Sequence, residues 1–515
     1  MKANRAQAGF APLDLIQDGA AFTVGDAWTG MANMRNRAAA MELAAGETNY
    51  CAPLSGAPKW AIAVVSNGII YMLYCTAFGV VVTDGVNHYN VTPFGGTWAD
   101  WSTGLMTGGL FNGYAVFNQP GRAPWYWDGT LVPGAVKPLP GFLPGTQGRV
   151  LAPFGSHIFC GSLASPTEML ERLAWSDAAP AGALPATWVP TAVNQAGDIV
   201  LSTGGGPIRV MQGLGSQLMV YRHTGCWAIT YTGRPYIYQA RKLSAEVGAA
   251  SCNAVAEVRG SHVVLAPGDI VITDGTSMRS IGEGRVKETI FSQLSELGLQ
   301  MSHVYAVPGS GEVVFNFAVG QEVGCNLAYV WNHERDKWSL RDQPMLAHSF
   351  ATFAPDVSIV TTWANDAGTW ATDATPWDAA PPGGFQARAV GVSTSLVKAF
   401  LLDEGDNDQA GQPVDGRLER LSLPLGDPST VKLVNRIIPR LDGFNGAALE
   451  VQVGSQISAA DSVTWEPPRP WVMGQTRHVD CLRVGRFLSL RIGGAPGSKW
   501  SCSGFTVEYE ERARQ

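Results

Sequence analysis

The residues able to carry chemistry are scattered along this chain. Eight cysteines stand at Cys51, Cys75, Cys160, Cys226, Cys252, Cys325, Cys481 and Cys502, with no CxxC pair and no histidine at ligand spacing beside them. Zinc sites need such spacing, so the expectation is buried, reduced thiols and no metal. The eight histidines, among them His88, His157, His223 and His303, each stand alone. A serine and an aspartate could meet one of them in space, but no G-x-S-x-G elbow anchors a triad. Carboxylate pairs for glycoside hydrolysis are defined by spatial separation and escape a linear reading. The acidic run Asp403, Asp406 and Asp408 reads as an exposed loop and lacks the spacing and closing Glu of an EF-hand.

Two glycine-rich stretches, Thr203-Gly204-Gly205-Gly206-Pro207 and Gly282-Glu283-Gly284-Arg285, neither continue as GK[ST] nor open a dinucleotide-binding unit, so both read as turns. Asn90-Val91-Thr92 is formally a glycosylation sequon, which carries meaning only on an exported chain. Asp366-Ala367-Gly368-Thr369-Trp370 and the looser Ser176-Asp177 to Thr187-Trp188 have the form of Asp-box turns, in which the Asp caps a hairpin and the Trp packs beneath it. They point to propeller blades, not to catalysis. The aromatic stock could line a sugar groove or stack bases, but in a propeller it chiefly fills the space between blades. The expectation is a non-enzyme with no catalytic, cofactor-binding or metal residues.

The elements that would hold these residues are short apolar strands ending in turn dipeptides. Ile69 to Tyr74 and Gly79 to Val82 lead to Asp84-Gly85; Tyr114 to Phe117 and Trp125 to Trp127 lead to Asp128-Gly129. His157 to Cys160 and Leu173 to Trp175 lead to Ser176-Asp177; Leu218 to Tyr221 and Cys226 to Ile229 reach Gly233. Val263 to Leu265 and Ile270 to Ile272 lead to Asp274-Gly275; Val313 to Phe317 and Leu327 to Trp331 reach Asn332. Asp-Gly between strand-like runs is a hairpin signal, because Gly accepts positive φ without strain. A recurrence of roughly 45 to 60 residues is the length of a four-stranded blade, which predicts a β-propeller of about six or seven blades.

Composition agrees. Hydrophobic residues make up 46% and charged residues 15%, and the 60 Gly and 32 Pro are interleaved with 17 Trp, 13 Tyr and 19 Phe. Disordered chains lack those aromatics. The net charge of −7 argues against a strong phosphate-neutralising grip on nucleic acid, though an acidic protein could still border a DNA channel. No export signal follows Met1-Lys2-Ala3-Asn4-Arg5, and the apolar run from Trp60 to Val82 is broken by Cys75 and Gly79, so no membrane anchor is expected. One helix is expected over 285–299, with Val286, Ile290, Phe291, Leu294 and Leu297 on one face. The expected division is an N-terminal arm with first strands over 1–50, an all-β propeller over 51–385, and a C-terminal β-sandwich-like domain over 386–515 ending in the charged tail Glu510 to Arg514.

Four places resemble the tail nozzle, hub or packaged-DNA-stabilisation proteins of short-tailed bacteriophages. They are Asp26-Ala27-Trp28-Thr29-Gly30-Met31-Ala32-Asn33-Met34-Arg35 followed by Gly46; Thr273-Asp274-Gly275 through Ile281 to Lys287 and on to Ile290-Phe291; Glu312 to Phe317 with Tyr329 to Asn332 and Lys337-Trp338-Ser339; and Pro439 to Gly443, Val463 to Trp465, Gly485 to Arg491 and Trp500 to Gly504. These are strand-and-turn patterns without a chemical signature, in a version rich in Ala, Gly and Pro. The resemblance implies a virion structural protein, made in the host cytoplasm and located in the tail. It implies a homo-oligomeric, hexameric ring below the portal and adaptor, contacting other tail proteins such as fibres or a needle. Such a ring retains packaged DNA through weak, sequence-independent contact and conducts it during ejection. It carries no catalytic residues and no cofactor. The competing reading is a glycan-binding or glycan-cleaving β-propeller.

Overall fold

The apolar runs fold back on themselves through tight turns. Asn112-Gly113 and Arg259-Gly260 each put two successive residues at positive φ (49° and 90°; 47° and 74°), the two-residue turn whose twist matches the flanking strands. At the outer hairpins an aspartate closes the turn. Asp84 Oδ1 accepts the backbone N–H of Val86 (2.8 Å) and Asn87 (2.6 Å), and Asp274 Oδ1 accepts those of Thr276 (2.8 Å) and Ser277 (2.7 Å). The computed structural model describes residues 5–94, 106–343, 351–353 and 388–514, apart from 68, 166, 202–203, 321–323, 394–395, 444–445, 495 and 498. Strand accounts for 53% and helix for 3%, so the all-β expectation holds.

Six four-stranded antiparallel sheets follow one another over 58–90, 107–138, 150–200, 208–244, 255–280 and 303–341. Within each, the strands pair in chain order, and the first strands of successive sheets approach one another, as do Ala351–Phe353 and Pro58–Ser66. These are propeller blades around an axis. The seventh blade is made of Ala351–Phe353, Arg388–Val392 and Ala399–Leu402, with Glu47–Asn49 as its outermost strand. Phe400, Leu401 and Leu402 pair with Asn49, Thr48 and Glu47, so the ring closes by joining chain that precedes blade one to the last blade. Between blades the cores are aromatic: Phe159, Trp175 and Tyr238 pack edge-to-face or tilted, with centroids 5.0 to 6.1 Å apart.

The remaining strands form two six-stranded sheets face to face. In one, the order is Met34–Arg37, Ala40–Leu43, Trp500–Arg514, Thr430–Gly443 and Val479–Gly485, and Arg5–Phe10 also pairs with Trp500–Arg514. In the other, the order is Gly30–Ala32, Arg417–Pro424, Phe487–Gly493, Ala448–Gln456 and Thr464–Trp465, with Arg469–Val472 on Ala448–Gln456. Met34, Met41, Leu418, Ile437, Leu449, Val451, Ile492 and Phe505 are buried between them. This core runs without a break into the propeller: Leu15, Trp28, Phe315, Trp331 and Trp338 belong to the same cluster, all but fully buried.

The divisions expected from sequence shift accordingly. The stretch 1–50 is no separate arm, since four of its strands complete the sandwich and a fifth completes the propeller. The propeller passes residue 385, because Arg388–Val392 and Ala399–Leu402 belong to its last blade. The tail Glu510 to Arg514 is strand, with Glu510 opposite Leu433 and Arg514 opposite Thr430. The single helix expected over 285–299 is two short ones, α1 (Lys287–Gln293) and α2 (Glu296–Met301). Leu294 is extended, and the Ser295 hydroxyl accepts the N–H of Gly298 (3.0 Å), starting a new helix; Leu297, expected on the buried face, is 63% exposed.

Candidate functional site at the junction of propeller and sandwich

The junction begins with the segment between Phe10 and Gly30. Its path along blade six is set by backbone bonds: Leu15 N–H donates to Trp338 O (3.1 Å), and the N–H groups of Gln17 and Asp18 donate to Arg285 O (2.6 and 2.9 Å). Asp14, 4% exposed, accepts the Trp338 N–H (2.7 Å) and pairs with Lys337 (3.3 Å). Asp18 accepts from the backbone of Glu288 (3.1 Å) and Thr289 (2.9 Å) at the first turn of α1. Trp28, fully buried, donates its indole N–H to Pro12 O (2.9 Å) and packs 5.8 Å from Phe505 of the sandwich.

Beyond it lies a buried ionic network. Arg35 pairs with Glu312 of blade six and, at 3.5 Å, with Asp403. Arg341 pairs with Asp403 and donates to Ala45 O (3.0 Å). Gln343 donates to Glu47 (3.0 Å) and accepts from the Tyr305 hydroxyl (3.1 Å). Burial acts to raise the Asp403 carboxyl, but the charges of Arg341 and Arg35 outweigh it and hold the group below the usual carboxylate range. Burial keeps Glu47 above that range despite its bond from Gln343. Asp403 is therefore no member of an exposed loop; its side chain is 14% accessible. Its neighbours are also engaged: Glu404 with Arg388, Asp406 with Lys499 (3.2 Å), and Asp408 with the N–H groups of Ala410 (2.9 Å) and Gln412 (2.8 Å). Among the described residues no three His, Cys, Asp or Glu side chains group as metal ligands.

Next to the network is an open cleft of about 480 Å³, lined by Arg35, Arg37, Glu42, Asp442, Lys499 and Trp500 among others. Strand register builds one wall. Arg35 lies opposite Glu42, Glu42 opposite Ser501, and Ser501 opposite Asp442, a single rung across four neighbouring strands. Directly opposed residues on antiparallel strands project to the same face, and two strand spacings put the Glu42 and Asp442 backbones about 10 Å apart. The side chains of Arg37 and Glu42 make no hydrogen bond or ion pair with described residues; Asp442 accepts only the adjacent Gly443 N–H (2.9 Å). Two buried donors beneath the cleft lack acceptors among the described residues: Arg35 Nε, and the indole Nε1 of Trp500, which packs into the sandwich core.

The axial channel is different. About 410 Å³ of space is lined by first strands of the blades and the chain leading into them, including Trp60, Gly109, Ala152, Met211, Cys252 and His303, with no Asp or Glu among the described lining residues.

The residues singled out in the sequence lie elsewhere. His157 takes the Tyr238 hydroxyl (2.9 Å) and Ser156 (3.2 Å) on the same nitrogen, Nδ1, and burial lowers its pKa; this joins two blades and is no triad. His88 meets the Tyr74 hydroxyl (3.2 Å), His223 follows the second strand of blade four, and His303 is buried opposite Asn316. All eight cysteines are free, and burial raises the thiols, Cys51 and Cys226 to about 11 and Cys160 to about 12. Asp177 accepts the N–H groups of Ala178 (2.9 Å) and Gln195 (2.8 Å), while Trp188, 1% exposed, packs 5.1 Å from Phe142. Gly204, Gly205, Gly206 and Gly284 take positive φ as turn residues. Asn90 Oδ1 accepts the Thr92 N–H (3.0 Å) in a local turn. Asp366 to Trp370 and Thr203 lie outside the described residues.

Sequence reasoning missed the cleft because its groups come from four strands and a loop that meet only in the fold. The one local signal was the alternation Met34-Arg35-Asn36-Arg37, which sends two arginines to one side of a strand.

No protein-family profile matches this chain, and no curated protein matches it. Among solved structures, it is similar to the extracellular domain of a one-component system from B. thetaiotaomicron (10% identity, TM-score 0.42), over 78% of this chain and 45% of that one. This chain thus spans under half the length of that structure. It is also similar to the WD40 β-propeller domain of Doa1 (10% identity, TM-score 0.37, 69% of this chain and 97% of that one). A glycoside hydrolase is matched at 11% identity and a TM-score of 0.27, over 88% of this chain and 99% of that one. The architecture described above rests on the sheet pairing itself.

Proposed function

We propose that this chain is a non-enzymatic structural protein of a short bacteriophage tail, one of several copies forming a nozzle or hub ring below the portal and adaptor. One observation carries the reading. Three of the four segments in which the sequence resembles tail nozzle proteins meet at the junction: Arg35 pairs with Glu312, and Trp338 donates its indole N–H to Ile281 O (3.0 Å). The resemblance thus spans both sides of the junction, where the segment between Phe10 and Gly30 straps the sandwich to the propeller. A wall under load from packed polymer requires such a tie.

The axial channel has the volume of a small-molecule pocket. In this reading DNA therefore runs through a conduit between copies, each propeller being a block in its wall. The net charge of −7 suits a wall that grips phosphate weakly and lets the polymer slide. Closed rings arise from a head-to-tail interface repeated around an axis.

The test is the native mass of the purified protein, with glycosidase activity assayed in parallel. A closed ring of about six chains without hydrolytic activity is expected; a monomer that hydrolyses glycosides overturns the reading.

A further inference from the structure

We infer that the buried network at the junction is a pH-sensitive latch on the strand that closes the propeller, with Glu47 carrying a proton at pH values where an ordinary glutamate has lost it. The inference goes beyond the structural role and holds whether or not the chain forms a ring. Glu47, opposite Leu402, opens the strand Glu47–Asn49, which completes blade seven from chain that precedes blade one. The pairing runs on past the blade: Gly46 N–H donates to Gly405 O (2.9 Å) and Glu47 N–H to Asn407 O (2.8 Å). One short seam thus joins the first and last parts of the propeller where the chain leaves for the sandwich.

The charges of the network single out one carboxylate. Three acids withdrawn from solvent, Glu47, Glu312 and Asp403, share two buried arginines, Arg35 and Arg341. Arg35 pairs with Glu312 and lies 3.5 Å from Asp403; Arg341 pairs with Asp403 and donates a second N–H to Ala45 O (3.0 Å). Glu47 is bonded instead by neutral amides, Gln343 (3.0 Å) and Gln409. The Tyr305 hydroxyl behind Gln343 is neutral too, and the exposed Arg37 bears on Asp403. Arg341 attracts an anion at Glu47 and Asp403 repels one, but burial outweighs both and raises the carboxyl's pKa. A buried charge without its own partner neutralises by taking a proton. The neutral carboxyl still fits, since the Gln409 amide can turn its oxygen to the O–H. Ionising Glu47 sets three anions against two cations and loosens the seam where they meet. Because the folded group keeps its proton above the unfolded value of 4.5, stability is lost as pH rises from 4.5 to the folded pKa and is level beyond it. A paired carboxylate such as Asp403 acts in the opposite sense.

The experiment compares the full-length protein with Glu47→Gln, whose amide keeps the shape of the protonated acid and cannot ionise. From pH 4.5 upward the parent's unfolding constant should climb relative to the variant's by about tenfold per pH unit, until the folded carboxyl titrates. Taking the ratio removes the titrating groups that the two proteins share. Over the same range amide exchange in Glu47–Asn49 and Ala399–Leu402 should quicken in the parent against the variant, and more than in Val150–Phe154 of blade three. At about pH 6, where ordinary glutamates are ionised, the parent's infrared spectrum should contain a protonated-carboxyl band that the variant lacks. A ratio that does not move with pH, a parent without that band, or a variant that fails to fold overturns the inference.

Discussion

Asp18 caps helix α1 from 270 residues away. Its carboxylate receives the backbone N–H groups of Glu288 (3.1 Å) and Thr289 (2.9 Å) and the Thr289 hydroxyl (3.0 Å), where the helix's own N-cap, Val286, has no side chain to offer. The strap is thus fastened to blade six by the unmet donors of a helix terminus, a charge-assisted contact favoured by the helix dipole. Asp18→Ala is expected to cost about 1 kcal/mol, read as a lower urea midpoint. Asp18→Asn should recover part of it, since the amide oxygen still accepts.

The ionic network is expected to respond more strongly. Replacing Arg35 by Met leaves Glu312 buried without its cation, at 4% side-chain exposure. Removing one partner of a buried pair costs about 3–5 kcal/mol. Hydrogen exchange should report this loss in Glu312–Phe317 of blade six and in Met34–Arg37 together, because both bear on the same charge.

Acid should loosen the propeller before it reaches Asp403. His262, fully buried, accepts from the Tyr221 hydroxyl at Nδ1 (3.0 Å) and donates from Nε2 to Gly213 O (2.9 Å), which joins blades four and five through a neutral ring. Burial depresses its pKa from 6.5 to about 4. Between those values the unfolded chain binds the proton and the folded chain does not, so stability falls as pH drops from 6.5 to 4, by roughly 3 kcal/mol in all. Asp403 adds its own loss at lower pH: its folded pKa is depressed, so its contribution is present above the unfolded carboxyl value and disappears as pH falls through the folded one. Urea titrations from pH 7 to 4 on the parent and on His262→Gln should show the slope in the first and a flatter profile in the second.

Much of the propeller was legible because its signals are local. Asp84-Gly85, Asp128-Gly129 and Asp274-Gly275 encode their hairpins within a few residues, and the apolar runs beside them are buried on both faces. Glu47–Asn49 was not legible, since a three-residue polar strand has no pattern and its partner lies some 350 residues on. Asp403 was misread for a related reason. An acidic run looks solvated until Arg35 and Arg341, distant in sequence, are seen beside it. The helix broke at Ser295 because serine reads as a tolerable helix interior but performs better as a cap. The cleft had no linear signature, as register between strands from both ends of the chain composes it.

The last strand ties the body together. Trp500–Arg514 pairs with Arg5–Phe10, Ala40–Leu43 and Thr430–Gly443, so truncation after residue 499 removes the partner of Arg5–Phe10, the strand from which the strap starts. Loss of a cooperative transition for the sandwich is expected, with rapid proteolysis near the N-terminus; an unchanged digestion pattern would show that the strap holds without it.

The thiols offer a quick check on burial. Seven of the eight cysteines are buried, and burial raises even Cys252, the one of intermediate exposure, to about 12. A thiol reagent at pH 8 should modify none rapidly in the folded protein and all eight after denaturation.

The central claim is the place of this chain in a virion tail, and electron microscopy of intact particles from the source tests it most directly. The account predicts a ring of copies below the portal, each resolved as a seven-bladed propeller with its sandwich fused at blade six, surrounding a conduit that lies between copies. Particles whose tails contain no such density, with the protein found only as a free glycan-processing monomer, would contradict it.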